Sequence, residues 1–255
     1  MKNESIPLLE FDPERRALVE PSEQIKPIGA PEHCVPCFFQ DVINKLVDDG
    51  RLKEIGCMGS EMGRHPLYEM DADGRRLAVF QPGLTAPFAA AMLEEVICMG
   101  SRKFVACGGA GVLIPNVHCG HVIVPSAAVR DEGTSYHYMP PGREVEPSPE
   151  ALAAIEAVLD ERCVPYLKGK AWTTDAFYRE TRQKVKRRRD EGCIAVEMEA
   201  AAFFAVARFR GVKFGQILYG GDDVSGEEWD SRRWQRNQTV REELLWLAAE
   251  ACLRL

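Results

Sequence analysis

The chain has 255 residues, 45% of them hydrophobic and 28% charged, which is enough to bury one substantial core and is ordinary for a globular protein. A net charge of −7 argues against a general nucleic-acid footprint, and the strongest basic run, KVKRRR at 184–189, is followed at once by Asp190 and Glu191, as on a solvated helix face. No apolar run approaches the roughly 20 residues of a membrane span, and the opening MKNESIPLLEFDPERR lacks the apolar stretch of a secretion signal. A cytoplasmic protein without nucleic-acid or membrane partners is therefore expected.

In chain order, residues 1–24 form a Pro-rich extended arm, with a short apolar unit at Ile25 to Ile28. CVPCFFQDVINKLVDDG places Phe38, Val42 and Leu46 at four-residue spacing with Gly50 beyond, which predicts a helix. LYEMDADGRRLAVFQPG predicts a hairpin around D-A-D-G, with its second strand at 76–81. The Ala/Leu/Met-rich stretch from Pro87 to Gly100 is apolar almost all round and should be a buried helix. KFVACGG and GHVIVPSAAV are strand candidates, and 133–147 is a loop rich in Pro, Gly and Tyr. A helix over 149–159 follows, then a strand in KGKAWTTDAF, a charged helix over 178–190, a helix over 198–210, a strand in VKFGQILYGG and a closing amphipathic helix. Strands and helices alternate without a repeat or a linker, so the expected fold is a single-domain α/β protein spanning 1–255, with a central mixed, twisted sheet covered by helices on both faces.

Nine cysteines without a secretion signal fit reduced, mostly buried thiols. Cys34 and Cys37 form a lone C-x-x-C, and the HCGH at 118–121 stands at a strand entrance, where its histidines read as structural polar groups. No metal is expected.

Open α/β folds collect ligands where strands give way to loops and helix N-termini. Four loops qualify: ACGGAG with Gly108 and Gly109, TTDAFYRE at 173–180, VEMEA at 196–200 and GGDD at 220–223. The glycine loop is neither a dinucleotide fingerprint nor a Walker loop, so it serves either tight packing or close ligand approach. Glu197 and Glu199 either cap the helix that follows or accept hydrogen bonds from a vicinal diol such as a ribose 2′,3′ pair. Glu199 and Asp222 are 23 residues apart, enough for a helix, a turn and a strand to bring both to one end of the sheet. Phe177 is either a core side chain or a flat wall for a base.

The order and spacing of AVEMEAAAFFAVARFRG, WTTDAFYRE, VACGGAG and GDD resemble the nucleoside phosphorylase family, which also contains uridine phosphorylases and nucleosidases; the likeness is to the trimeric or hexameric bacterial type. It implies the family's three-layer αβα fold. It also implies a ribose clamp at Glu199, Met198 against the sugar, Glu197 organising the same loop, Phe177 stacking on the base, and Asp222 donating a proton toward purine N7. A raised pKa at Asp222 would suit that role, with Asp223 either helping by like-charge repulsion or standing as a solvated loop acid. Inorganic phosphate would be the co-substrate, with no other cofactor, and a homodimer or homohexamer is implied.

Two departures concern the acceptor. The family's G-D-P-x-R arginine falls, when aligned on Gly29-Ala30-Pro31-Glu32-His33, at His33, and a second arginine falls at Ala106, with Gly109 in place of a small hydroxyl residue. Gly29, His33, Gly108 and Gly109 are thus the expected phosphate or acceptor positions, with Arg64, Arg102, Lys103 or Arg130 as alternative sources of charge. The Gln-x-Arg pair of pyrimidine-specific relatives is replaced by Thr181 and Gln183, which leans the base toward a purine without excluding uridine. The leading expectation is phosphorolysis of a ribonucleoside; the rival is hydrolysis, with Glu32 or His33 positioning water.

Overall fold

The computed structural model describes residues 4–234 and 237–255. In chain order its elements are α1 (Pro21–Gln24), β1 (His33–Pro36), α2 (Gln40–Asp48), β2 (Lys53–Ser60), β3 (Gly63–Ala72), β4 (Arg75–Phe80), α3 (Ala86–Met99), β5 (Lys103–Val112) and β6 (Val122–Asp131). They continue with β7 (Glu144–Val145), α4 (Pro149–Glu161), β8 (Tyr166–Thr174), α5 (Arg182–Asp190), β9 (Cys193–Glu197), α6 (Ala200–Arg210), β10 (Lys213–Asp223) and α7 (Gln238–Leu253).

The strands form one mixed sheet in the order β10-β6-β8-β9-β5-β1-β4-β3-β2, with β7 beside β6. β10 also pairs in parallel with β5, from Lys213↔Lys103 to Gly220↔Ala110 and again at Asp223↔Val112. That extra pairing closes β5, β10, β6, β8 and β9 into a ring, and β1, β4, β3 and β2 extend from it as an open wing. Ala110, Ile123, Ala195 and Leu218 form one buried cluster. They come from four different ring strands, so they meet inside the ring.

Period-two alternation with both faces apolar is the mark of a sheet covered on both sides. Along β5, Phe104 and Ala106 pack with α3 and α6, whereas Val105 and Cys107 pack with α2, α4 and α7. β10 does the same, with Phe214 on the first side and Ile217 and Tyr219 on the second. The architecture is the expected three-layer αβα, with a ring closure that strand alternation alone does not reveal.

The hairpin forms as expected. Ala72 pairs with Arg75, leaving Asp73 and Gly74 as a two-residue turn with φ of 54° and 75°, the left-handed pair that suits tight hairpins. The helix expected from Cys34 onward starts only at Gln40, because Cys34–Pro36 lie in β1 and Phe38 stands in the connection. A short apolar run fits a buried strand as well as it fits a helix face. The charged helix likewise starts late, at Arg182. Residues Phe177–Arg179 form a 3-10 turn, and the Thr181 side chain accepts from the Lys184 N–H. Most of the basic run is solvated as expected, but Arg188 is buried, donating to Asp131 at 2.9 Å and to Glu191 at 3.3 Å.

The N-terminal arm is not extended throughout: it carries a 3-10 turn at Pro7–Leu9 as well as α1. It lies against α6, with Glu20 accepting from Arg210 at 3.0 Å and Arg15 lying over the Phe209 ring. Cys34 and Cys37 are buried, and His118 and His121 belong to the turn before β6. Among the described residues no group of three or more His, Cys, Asp or Glu is arranged to hold a metal ion, and no helix is long and apolar enough to cross a membrane.

Close contact between β10 and α4 is testable at Gly215. A Cβ there would lie 2.9 Å from Ile155 Cδ1 and 3.0 Å from Ala151 Cβ. Gly215→Ala should cost about 1–3 kcal/mol by overpacking, read as a lower urea midpoint. An unchanged midpoint would show that α4 is not seated this tightly.

Candidate active site

Chemistry-bearing side chains gather where β9 crosses β5. The two strands pair only at Gly111↔Val196 and Val112↔Ala195, so the exit of β9 lies against the last residues of β5 and of its parallel neighbour β10. A Cβ on Gly111 would be 2.9 Å from Val196 Cγ1 and 3.5 Å from Asp222 Oδ1. Glycine is required here because two side chains converge on its open face.

Glu197 ends β9 and is fully engaged. One oxygen accepts from the Thr173 hydroxyl at 2.5 Å; the other accepts from the Glu199 and Ala200 N–H groups, each at 2.7 Å. Thr173 in turn accepts from Ala201 N at 3.0 Å. The first turn of α6 is thus capped by a side chain from the preceding strand. Glu199, at the N-cap position, makes no capping bond; its Oε1 accepts instead from the Thr85 N–H at 2.6 Å, in the loop before α3. Thr85 holds φ at +78°, an outlier for a β-branched residue and a mark of local strain. Glu199 is only 5% exposed. Burial raises the pKa of both glutamates above the usual range; Glu132 adds to this for Glu197, and Glu197 and Asp175 add to it for Glu199.

Met198 is half-buried between them. Phe177 is 50% exposed, its ring 4.1 Å from that of Tyr178, so it is not a core side chain. The segment leading to it is pinned by the Asp175 carboxylate, which accepts from Gly133 N at 2.8 Å.

Asp222 accepts from the Trp229 indole N–H at 2.7 Å. Asp223 is engaged elsewhere. It pairs with Arg232 and accepts from Ser225 N at 2.7 Å, as adjacent strand residues facing opposite ways should. The acid that does act on the Asp222 side is Glu180, a half-buried residue whose pKa rises to about 7 through burial and the Asp222 charge. Glu180, Trp229, Thr85 and Thr173 were not singled out from the sequence. Thr173 and Glu180 are the two ends of the TTDAFYRE motif, whereas Thr85 and Trp229 lie in none of the motifs.

The expected phosphate positions are not brought together. His33 pairs with Lys103, and Lys103 with Lys213, all at the entrances of β1, β5 and β10. Gly29 precedes β1 at that same edge. Both residues therefore lie at the opposite end of β5 from Gly111. The aligned register was the error: the connection that leaves β1 toward α2 is Cys37–Phe39, not 29–33. Gly108 and Gly109 are strand residues whose open faces are filled by Phe38 and by Tyr219 and Trp234 respectively, so their glycines serve ring packing. Arg102 and Lys103 stand at the same distant edge. Arg130 is spent on Ser135 Oγ and the carbonyls of Met139 and Pro140, and Arg64 on Glu54.

Residues 33–254 match the phosphorylase superfamily, and the chain belongs to that family, whose members include nucleoside phosphorylases and nucleosidases. It is 30% identical over 188 residues to a guanosine phosphorylase of Halorubrum lacusprofundi, covering 71% of this chain and 78% of that one. A DeoD-type purine nucleoside phosphorylase of Bacillus cereus is 28% identical over 214 residues, 82% of this chain and 89% of the relative. The fold is similar to a Vibrio fischeri uridine phosphorylase structure with a TM-score of 0.73 at 23% identity, covering 91% of this chain and 97% of that one.

Two expectations follow. Thr173→Val removes a buried donor and acceptor at once and should cost about 1–3 kcal/mol, seen as a lower thermal midpoint; a wild-type midpoint would deny Glu197 its anchoring role. The second concerns pH. Glu197 and Glu199 bind protons more tightly folded than unfolded, so folding favours their protonated forms. This contribution is complete below about 4.5, the ordinary glutamate value, and is lost as pH rises through their folded values. Urea midpoints should therefore fall between about pH 5 and about pH 8, and Glu199→Gln should flatten that fall. The same slope in the variant would contradict the assignment.

Proposed function

We propose that this enzyme cleaves the N-glycosidic bond of a ribonucleoside, with inorganic phosphate as acceptor, releasing free base and ribose 1-phosphate. The observation that carries the reading is Glu199, a buried carboxyl at the mouth of α6, held by the Thr85 N–H. In this role it accepts hydrogen bonds from the ribose 2′- and 3′-hydroxyls, with Met198 against the sugar. Glu197 has no free oxygen for substrate and positions Glu199 through the backbone. Phe177, with half its surface open, stacks on the base. As the C1′–N bond lengthens, positive charge builds at the anomeric carbon, which the nearby carboxylates favour, and the base gains electron density. Asp222 stands on the base side of the site beside a second acid, Glu180, and the departing base takes up its proton from this acid pair. A purine is the base of choice, supported by that acid and by the similarity to guanosine and purine nucleoside phosphorylases.

One observation favours a second reading, hydrolysis. The arginines and the lysine proposed to hold phosphate are engaged elsewhere or stand at the far edge of the sheet. A homodimer or homohexamer belongs to the phosphorolytic reading, because a second copy is then the source of the missing cation. Met62, in the turn between β2 and β3, and Leu84, in the loop carrying Thr85, are both exposed, and such a copy would pack there.

A panel of purine and pyrimidine ribonucleosides, incubated with and without phosphate and followed for free base and ribose 1-phosphate, separates these readings. Phosphate-dependent ribose 1-phosphate supports phosphorolysis, free ribose without phosphate supports hydrolysis, and no base release from any nucleoside refutes both. In the same assay Glu199→Ala should lower kcat/KM by about 100-fold or more, and Asp222→Asn should harm purine ribosides more than uridine, by roughly 10²-fold or more. Unchanged turnover in the first variant, or equal losses in the second, would reject those roles.

A further inference from the structure

Beside Asp222, a cavity of about 290 Å³ opens between α5 and the loop that follows β10. Its wall includes Glu180, Val185, Val224 and Trp229. Trp229 is fixed from two directions. Asp223 and Asp230 exchange backbone hydrogen bonds of 2.8 and 3.0 Å, closing the loop just beyond the indole. The indole N–H itself donates to Asp222 Oδ2 at 2.7 Å. The indole thus takes up one Asp222 oxygen and fixes that carboxyl at the edge of the cavity.

The charges around Glu180 come from three elements. Asp222 faces it from β10. Arg182, Lys186 and Arg189 line the cavity from α5, and Glu227 and Glu228 from the loop. Three cations within one cavity would ordinarily capture an ionised glutamate, yet Glu180 forms no ion pair among the described residues. Arg182 pairs with Glu227 at 3.2 Å and Lys186 with Asp190 at 2.6 Å. Glu180 is thus a half-buried carboxyl without a cationic partner among the described residues, next to a second acid, Asp222.

We propose that Glu180 carries the proton of a Glu180–Asp222 acid pair, and that this neutral carboxyl recognises an acceptor on the base, an imine nitrogen or a carbonyl oxygen, and protonates it as it leaves. The inference rests on the nucleoside-cleaving reading and deepens it. When the C1′–N bond breaks, its electron pair passes to the base. The Glu180 proton moves to the base acceptor, leaving neutral base and a Glu180 carboxylate, which regains a proton from solvent before the next turnover. The lift of Glu180 to about 7 by burial and by Asp222 agrees with a proton held there in the resting enzyme. Like charges side by side are disfavoured, so a buried carboxyl with an acidic neighbour and no cation keeps its proton. The site therefore selects bases with an acceptor facing the cavity, and it discriminates against analogues in which that atom is a carbon.

The test is the pH dependence of kcat/KM for a purine ribonucleoside, with phosphate present, in the wild type, Glu180→Gln and Glu180→Ala. The wild type should show an ionisation at about 7, with activity lost on its alkaline side. Glu180→Gln, which keeps a hydrogen-bond donor but cannot ionise, should lose that ionisation while retaining activity within roughly 100-fold of wild type; Glu180→Ala should fall further. A Glu180→Gln profile with the wild-type ionisation intact, or a Glu180→Ala variant as active as wild type, overturns the proposal. Because Glu180 lies on a half-exposed turn, thermal midpoints of both variants near that of wild type are expected; a loss of activity that tracks a loss of midpoint also overturns it. Wild-type protein that cleaves no nucleoside defeats the underlying reading instead, and this inference with it.

Discussion

The site depends on one buried carboxylate that touches no substrate in the proposed function. Glu197 accepts a hydroxyl from β8 and two backbone N–H groups from the start of α6. Such charge-assisted bonds are among the stronger ones available to a protein, and they tie strand, turn and helix into one rigid corner. Without them the α6 N-terminus would lack its cap, since Glu199 turns away toward the loop before α3. The corner leaves Glu199 buried yet directed to a single neighbouring N–H. A carboxylate left that poor in partners is costly unless a ligand completes it, which is why the proposed function gives the diol to Glu199 rather than to Glu197.

The same constraint explains how acid chemistry is divided between two ends of the site. At the end the proposed function gives to the sugar, burial and neighbouring carboxyls raise the proton affinity of Glu197 and Glu199. At the end the proposed function gives to the base, the Trp229 N–H takes up one Asp222 oxygen, while burial and Asp222 push Glu180 upward. Ring closure of β5 with β10 makes this possible, because it brings Asp222 to the open face of Gly111, opposite Val196.

Much of the fold was legible in the sequence. The Asp73-Gly74 turn, the largely apolar helix from Ala86 to Met99 and the strands ending in glycines or acids follow from local pattern alone. β2 was harder to see, being a half-exposed edge strand with glycines at 56 and 59, and β9 is five residues that run straight into the glutamate pair. The site was legible only in part. Phe177, Met198, Glu199 and Asp222 sit in motifs, as does Glu180, but Glu180, Thr85 and Trp229 acquire meaning only through long-range contact, and no local rule anticipates a threonine at positive φ. The misplaced phosphate positions have a plain cause: β1 begins at His33, so a motif read before it falls at the wrong edge of the sheet.

The central claim, a ribose diol gripped by Glu199, is tested most directly by removing one hydroxyl from the substrate. The ratio of kcat/KM for a purine ribonucleoside to that for its 2′-deoxy counterpart should be large in the wild-type enzyme and collapse toward one in Glu199→Ala, since both changes delete the same hydrogen bond. A ratio that is the same in the two proteins would show that the carboxyl at the mouth of α6 does not hold the sugar.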